Sequence, residues 1–522
     1  MLGGNEITPP PFKHQADLIE ATKDRTSWAL FWEMRLGKSR VIVDTAAHNF
    51  LNGNIGALII VTENGLHEAW ATDELPKWST IPYKAAVYHA RKASTKKHAA
   101  QIEEALSFDG LAVLCITYDA AAITDLGKAT LWRFLKRRAL LVIDESSAVK
   151  TPDARRTRTL IKASQYAVMR RILNGTPIDR SPLDVYSQIQ ILEPDFWQTT
   201  MNIKSYTAFR AEFAQMKKGK RRIVTPDGEP AYRHFNQVVG YKNLPKLSEA
   251  LGKISSRLTQ ADVFDLPPKI YERRLVEMTD EQQRIYDQLK EETFAYLGNQ
   301  RECEMCGGVG TLDYDGVVCE CLNCLGARYV YDKQMTTRNA GTLLTRLQQV
   351  LSGYVTADDE PVADIPGRNP RIEALEAIID QTEGPWLVWG RFQRDVEKAL
   401  AALRKKGLRC GDYYGPTRPD DRTKNRQAFQ NGELDALILS SAGSKGIRLT
   451  AARSSVIISR SYKLIDRLQS EERPVHVDMK DSHLYVDIVC PGTVDEHVLK
   501  NLQSKTELAA SVLGDKLKEW LQ

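Results

Sequence analysis

The sequence predicts an α/β protein built on parallel sheets, and three observations carry that prediction. Short, continuously apolar runs recur at Trp28–Phe31, Ala57–Val61, Leu111–Thr117 and Leu140–Ile143, the pattern of strands buried on both faces. The stretches between them are long enough for helices, the alternation a parallel sheet requires. Finally, the first and last runs lead into Gly37-Lys38-Ser39 and Asp144-Glu145. These are residue types that handle phosphate, and ligands of open α/β sheets bind at the carboxyl ends of strands.

Length and composition bound the rest. At 522 residues the chain is too long for one core, so two or three domains are expected. Hydrophobic content of 42% and charged content of 27% describe an ordinary globular protein. No apolar run approaches the roughly 20 residues that span a bilayer, and no leader-like apolar segment follows Met1, so no membrane partner is expected. A net charge of +5 permits a nucleic-acid partner without requiring one. Five of the eight cysteines crowd between Cys303 and Cys324, which points to a metal in a reducing cytosol and not to disulfides.

The stretch Trp32-Glu33-Met34-Arg35-Leu36-Gly37-Lys38-Ser39-Arg40 ends as a phosphate loop ends. The pattern G-x-x-x-x-G-K-[ST] asks for glycine where Trp32 stands. The loop works through backbone N–H groups, the lysine amine and a hydroxyl on Mg²⁺, and none of these needs glycine at 32 or 35. Val41–His48 can continue as the helix behind the loop. After the strand at 140–143, Asp144 can hold Mg²⁺ and Glu145 can orient or deprotonate an attacking water.

In order along the chain, further blocks fall into a known series. Pro11–Gln15, Glu33–Ser39, Val142–Lys150, Leu173–Ile178 and Asp265–Lys269 are followed by Trp386–Phe392, Tyr413–Thr417, Ala442–Thr450 and Gln469–Arg473. This series resembles the Snf-type translocases of helicase superfamily two, relatives of the chromatin-remodelling motors, and especially compact phage-encoded versions. It covers nearly the whole chain except residues 201–260 and the cysteine cluster.

The resemblance implies two RecA-like lobes, each with a parallel sheet, that hydrolyse ATP with Mg²⁺ on binding DNA. It favours duplex or branched DNA over RNA, and translocation over processive unwinding. It implies that Gln15 contacts adenine, and that Arg35, Gly37, Lys38, Ser39 and Gly443 line the ATP site. Ser39 and Asp144 would hold Mg²⁺, Glu145 the water, and Arg473 would act as the arginine finger. Thr176 and Gln469 would couple the ATP site to nucleic acid, and Thr450 would touch the strand. The setting it implies is the cytoplasm of a prokaryotic or phage-infected cell.

Two departures weaken the pattern. Ser146 and Ser147 replace Ala and His after Asp144-Glu145, and His476 replaces the second arginine of the sixth motif. Loss of an arginine finger can cost roughly 10³ to 10⁵ in rate. A hydrolysis-deficient, nucleotide-gated DNA-binding or recruitment module is therefore the rival reading. The motor subunit of a nuclease or restriction system is a third.

The expected boundaries are 1–200 for the first lobe and 201–265 for a basic insertion and return. Residues 266–370 are a connector with a zinc module at about 301–330, 371–493 the second lobe, and 494–522 a C-terminal helical brace. Cys303-x-x-Cys306 and Cys321-x-x-Cys324 flank a hairpin-like stretch, the spacing of four thiolates around structural zinc, with Cys319 a substitute for Cys321. Such a module can contact nucleic acid or a protein partner. Lys217, Lys218, Lys220, Arg221 and Arg222 form the densest basic run, read as a phosphate-tracking element or a solvated loop. Residues 356–370 read as a flexible connection.

Overall fold

The computed structural model describes residues 9–515 apart from 225–229, 293, 308, 310, 315–316, 322–328, 337–339, 359–360 and 441–446. The chain divides into two compact units. One holds the residues up to Leu266 with Lys463–Ile465 and the chain from Ser504; the other holds Pro267–Tyr462 and Asp466–Gln503.

The first unit contains β1 (Ser27–Trp32), β2 (Ala57–Thr62), β3 (Tyr83–Val87), β4 (Leu111–Thr117), β5 (Ala139–Asp144), β6 (Met169–Leu173), β7 (Ala214–Val224), β8 (Pro230–Tyr241) and β9 (Ser255–Leu258). Seven of them form one sheet in the order β3-β4-β2-β5-β6-β1-β9. Every pairing in it is parallel. Its continuous apolar runs reflect cores on both faces: Ala57, Ile59 and Val61 join one cluster, Leu58 and Ile60 the other. Since all strands run the same way, the loops after β2, β5, β6 and β1 emerge side by side at one edge. β7 and β8 pair antiparallel as a separate hairpin.

The second unit contains β10 (Ile270–Leu275), β11 (Phe294–Glu302), β12 (Thr311–Tyr314), β13 (Val317–Glu320), β14 (Tyr329–Thr336), β15 (Tyr354–Thr356), β16 (Val362–Asp364), β17 (Trp386–Gly390), β18 (Cys410–Tyr413), β19 (Ala436–Ser440), β20 (Ser454–Ile457) and β21 (Leu484–Val489). Its sheet has the order β10-β21-β20-β17-β19-β18 and is parallel throughout. The chain is thus α/β with two parallel-sheet units. β11 pairs with β14, and β12 with β13, as antiparallel ribbons around the cysteine segment.

Two segments differ from the sequence reading. β10 lies within the stretch expected to be a connector, yet it is an edge strand of the second sheet. Residues 356–370 contain the β15–β16 pairing, and Asp364 bonds Arg394 and Lys398. The acidic, proline-containing run reads as loop because its cationic partners lie some distance along the chain. At the other end, the helix Val494–Leu513 sends Ala509 and Val512 into the core of the first unit.

Buried charges hold the second sheet to the helix Leu464–Glu471. Asp487 on β21 accepts hydrogen bonds from Arg460 at 3.1 Å and Arg467 at 2.7 Å, and Arg467 also reaches Glu471 at 2.5 Å. Removing one partner of such a group strands the others without water. Asp487→Ala should lower the stability of the second unit by about 3–5 kcal/mol, read as a shift in its urea midpoint.

Candidate active site

The phosphate-loop segment leaves β1 and enters α2 (Lys38–Leu51). Trp32 is the last residue of β1, and its side chain belongs to the core, with its indole donating to Ser256 Oγ at 3.0 Å. That is why glycine is dispensable there: the position is strand, and only its backbone enters the loop. Arg35 and Gly37 both lie in the left-handed region, with φ of 65° and 76°. Successive N–H groups in such alternating geometry form an anion-binding concavity, and a non-glycine residue held there carries strain of the kind found at functional loops. At Gly37 a Cβ would lie 2.0 Å from Gln15 Nε2.

Gln15 sits on the helix α1 (Lys13–Thr22) and braces this loop. Its Nε2 donates to the Leu36 carbonyl at 3.2 Å, and its Oε1 accepts the Phe12 N–H at 3.0 Å. Lys38 is half-buried, and its ammonium donates to the carbonyls of Trp32 at 2.9 Å and Glu33 at 3.0 Å. Burial holds its pKa below the ordinary lysine value, opposed by the charges of Glu145 and Asp144. Ser39 follows in the first turn of α2, where helix N–H groups lack intrahelical acceptors.

Asp144 ends β5, two strands from β1. It accepts hydrogen bonds from Trp70 Nε1 at 2.9 Å and Thr62 Oγ1 at 3.3 Å. Burial raises its pKa above the usual carboxylate range, countered by the Trp70 bond and the Lys38 charge. Glu145 has a φ of 56°, which turns the chain sharply after the strand. The loop, the half-buried cation and the two carboxylates therefore fit a nucleoside triphosphate with its divalent cation.

The altered residues after Glu145 take part in a buried network. Ser146 Oγ donates to Gln188 Oε1 at 2.6 Å and accepts from Asn174 Nδ2 at 3.2 Å. Asn174 Oδ1 accepts the Thr176 N–H at 2.9 Å. The loop after β5 is in this way tied to the loop after β6. Arg257 on β9 adds a second tie, donating to the carbonyls of Phe31 at 2.6 Å and Gly175 at 3.1 Å.

Trp70, Gln188 and Arg257 escaped the sequence reading. Trp70 is a core residue, but its indole N–H also has a charged acceptor. The polar strand Ser255–Leu258 offered no apolar signal for β9.

In the second unit Arg473 is buried, and its Nη1 donates to the Ile447 carbonyl at 3.1 Å. Gln469 is buried on the helix Leu464–Glu471, and Thr450 Oγ1 accepts from Gln430 at 2.9 Å. Gly443 lies outside the described residues. Lys217, Lys218 and Lys220 are exposed on β7; the side chains of Arg221 and Arg222 lie outside the description.

Among the described residues Cys303, Cys306 and Cys321 bring their thiols within 4.8 Å of one another, all buried. Cys303 and Cys321 Sγ are 3.7 Å apart, against about 3.8 Å expected for two thiolates on tetrahedral zinc with bonds of about 2.3 Å. The donor set fits zinc. Cys324 and the Cys319 side chain, the alternatives for the remaining position, lie outside the described residues.

Comparison with known proteins decides the family. A model of the SNF2-related domain matches residues 14–313, and one of the helicase conserved C-terminal domain matches 370–477. The chain belongs to the SNF2-related family. Its pair of domains is that of a superfamily-two ATPase. The match also runs through residues 201–260 and the first cysteine pair, which the motif series had left out.

The transcription regulatory protein SNF2 of Saccharomyces cerevisiae is 19% identical over 92% of this chain, which spans 26% of that protein's length. A putative protein p41 from Acyrthosiphon pisum secondary endosymbiont phage 1 is 22% identical over 96% of both chains. The solved Sulfolobus solfataricus SWI2/SNF2 ATPase core in complex with dsDNA aligns at 18% identity over 98% of this chain and 94% of its own, with a TM-score of 0.38. No helix among the described residues is long and apolar enough to cross a membrane.

The Trp70 contact makes a testable demand on this ATPase. A hydrogen bond donated to a carboxylate favours its ionised form, so Trp70→Phe should raise the Asp144 pKa. The acid limb of the ATPase pH profile should move to higher pH, with less change at the plateau.

Proposed function

We propose that the protein is an ATP-driven translocase acting on duplex or branched DNA, in the cytoplasm of a prokaryotic or phage-infected cell. The observation that carries this reading is Lys38, half-buried after the first strand with its ammonium on the Trp32 and Glu33 carbonyls, in the field of Asp144 and Glu145. Lys38 and the loop N–H groups bind and orient the triphosphate. Ser39 and Asp144 would hold Mg²⁺, which when bound supplies charge neutralisation at the phosphates. Glu145 orients the attacking water, and Arg473 serves as the finger. The Ser146–Gln188–Asn174 network carries the state of the loop after β5 to Thr176. Thr450 and the lysines of β7 touch DNA, and Gln469 joins the coupling. Family membership and the length shared with the phage relative support the reading.

Phosphate release should be measured with no nucleic acid, duplex DNA, single strands and RNA. Duplex should stimulate most, and Lys38→Ala should lower the rate at least about 10²-fold, the scale of losing one charge-stabilising donor. ATP and DNA binding without turnover on any nucleic acid would overturn the motor and favour the nucleotide-gated binding module, a reading that His476 supports.

Zinc on Cys303, Cys306 and Cys321, with Cys319 or Cys324 as the remaining ligand, would hold the ribbon module, offering a surface to DNA or a protein partner. Chelation should release the zinc held by these cysteines and raise amide exchange in residues 294–336 while the first sheet stays protected.

A further inference from the structure

Beyond the carboxyl ends of β2 and β3, the first unit gathers His67, Glu68 and His89, none of which contacts the nucleotide loop. One ligand atom of each lies within 4.8 Å of the others. His89 Nδ1 and the Glu68 carboxylate stand 3.5 Å apart, close to the about 3.4 Å between two ligands of a tetrahedral ion with bonds of about 2.1 Å.

The ring of His67 is 3% exposed and oriented by backbone. Its Nδ1 accepts the Gly65 N–H at 3.2 Å, and the Glu63 carbonyl accepts from the ring. A second contact of this type fixes a ligating imidazole, and a cation on Nδ1 would take the place of the Gly65 N–H. His98 stands behind, its Nε2 accepting the backbone N–H of His89 at 3.4 Å. A half-exposed His–Glu ion pair alone contributes little, and the buried His67 brings a third ligand atom within 4.8 Å of both.

We propose that His67, Glu68 and His89 form a binding site for a divalent transition-metal ion of the zinc class, the donors being the imidazoles and carboxylate such ions prefer. Water completes the tetrahedron on the exposed side. The site lies on the short helix α3 (Leu66–Ala69), and Trp70, the donor to Asp144, begins the next turn. Occupancy ties that segment to the end of β3 and so steadies the hydrogen bond on Asp144.

The test uses the full chain, stripped with chelator, reloaded with Co²⁺ or Zn²⁺ and desalted. Metal content is read by mass spectrometry for wild type, His89→Ala, Glu68→Gln and Cys303→Ser/Cys306→Ser. Glu68 and His89 are partly exposed, so their substitution spares the core. Wild type should hold one equivalent more than His89→Ala, with Glu68→Gln weakened. The cysteine variant should keep that equivalent and show tetrahedral Co²⁺ bands without thiolate charge transfer. Equal metal in wild type, His89→Ala and Glu68→Gln would overturn the proposal. So would a folded cysteine variant that binds none. Neither result depends on ATP turnover.

Discussion

The arrangement rests on a half-buried cation opposed by carboxylates. Lys38 has exchanged water for two loop carbonyls and the field of Asp144 and Glu145. Burying either sign alone would cost several kcal/mol. Together, each charge offsets the other's loss of water. Other features serve that pairing: the left-handed loop residues, the packing of Gln15 on Gly37, and the donors Trp70 and Thr62 on Asp144.

The parallel sheet is what makes the pairing possible. Lys38 and Asp144 follow β1 and β5, with β6 between them, so residues far apart in sequence meet at one edge. The loop after β6 runs between the two and is bonded to both sides, to Ser146 through Asn174 and to Arg257 through Gly175. The loop that carries Thr176 is thereby held from both sides. The serine at 146, a departure from the family pattern, has acquired a structural task as the centre of this network.

The strands β1, β2, β4 and β5 and the two motifs that follow β1 and β5 were legible in the sequence because each is local: an apolar run, or a motif of fixed spacing. The strands β3 and β9 were not. Half-exposed Tyr83–Val87 and polar Ser255–Leu258 form the two edges of the sheet, where one-sided burial erases the apolar run. Trp32 departs from the glycine pattern, and spacing alone cannot tell whether such a residue is the end of a strand or the start of a loop. Trp70 and Gln188 act through contacts with residues many positions away, which no local pattern records. The cysteine spacing was legible, and three of the thiols meet.

The most direct test of motion on DNA is displacement of a third strand from a triplex placed ahead of duplex track. The protein should displace it with ATP, fail with a non-hydrolysable analogue, and fail as Lys38→Ala. ATP turnover and duplex binding without displacement would contradict translocation and leave a DNA-stimulated ATPase that does not move.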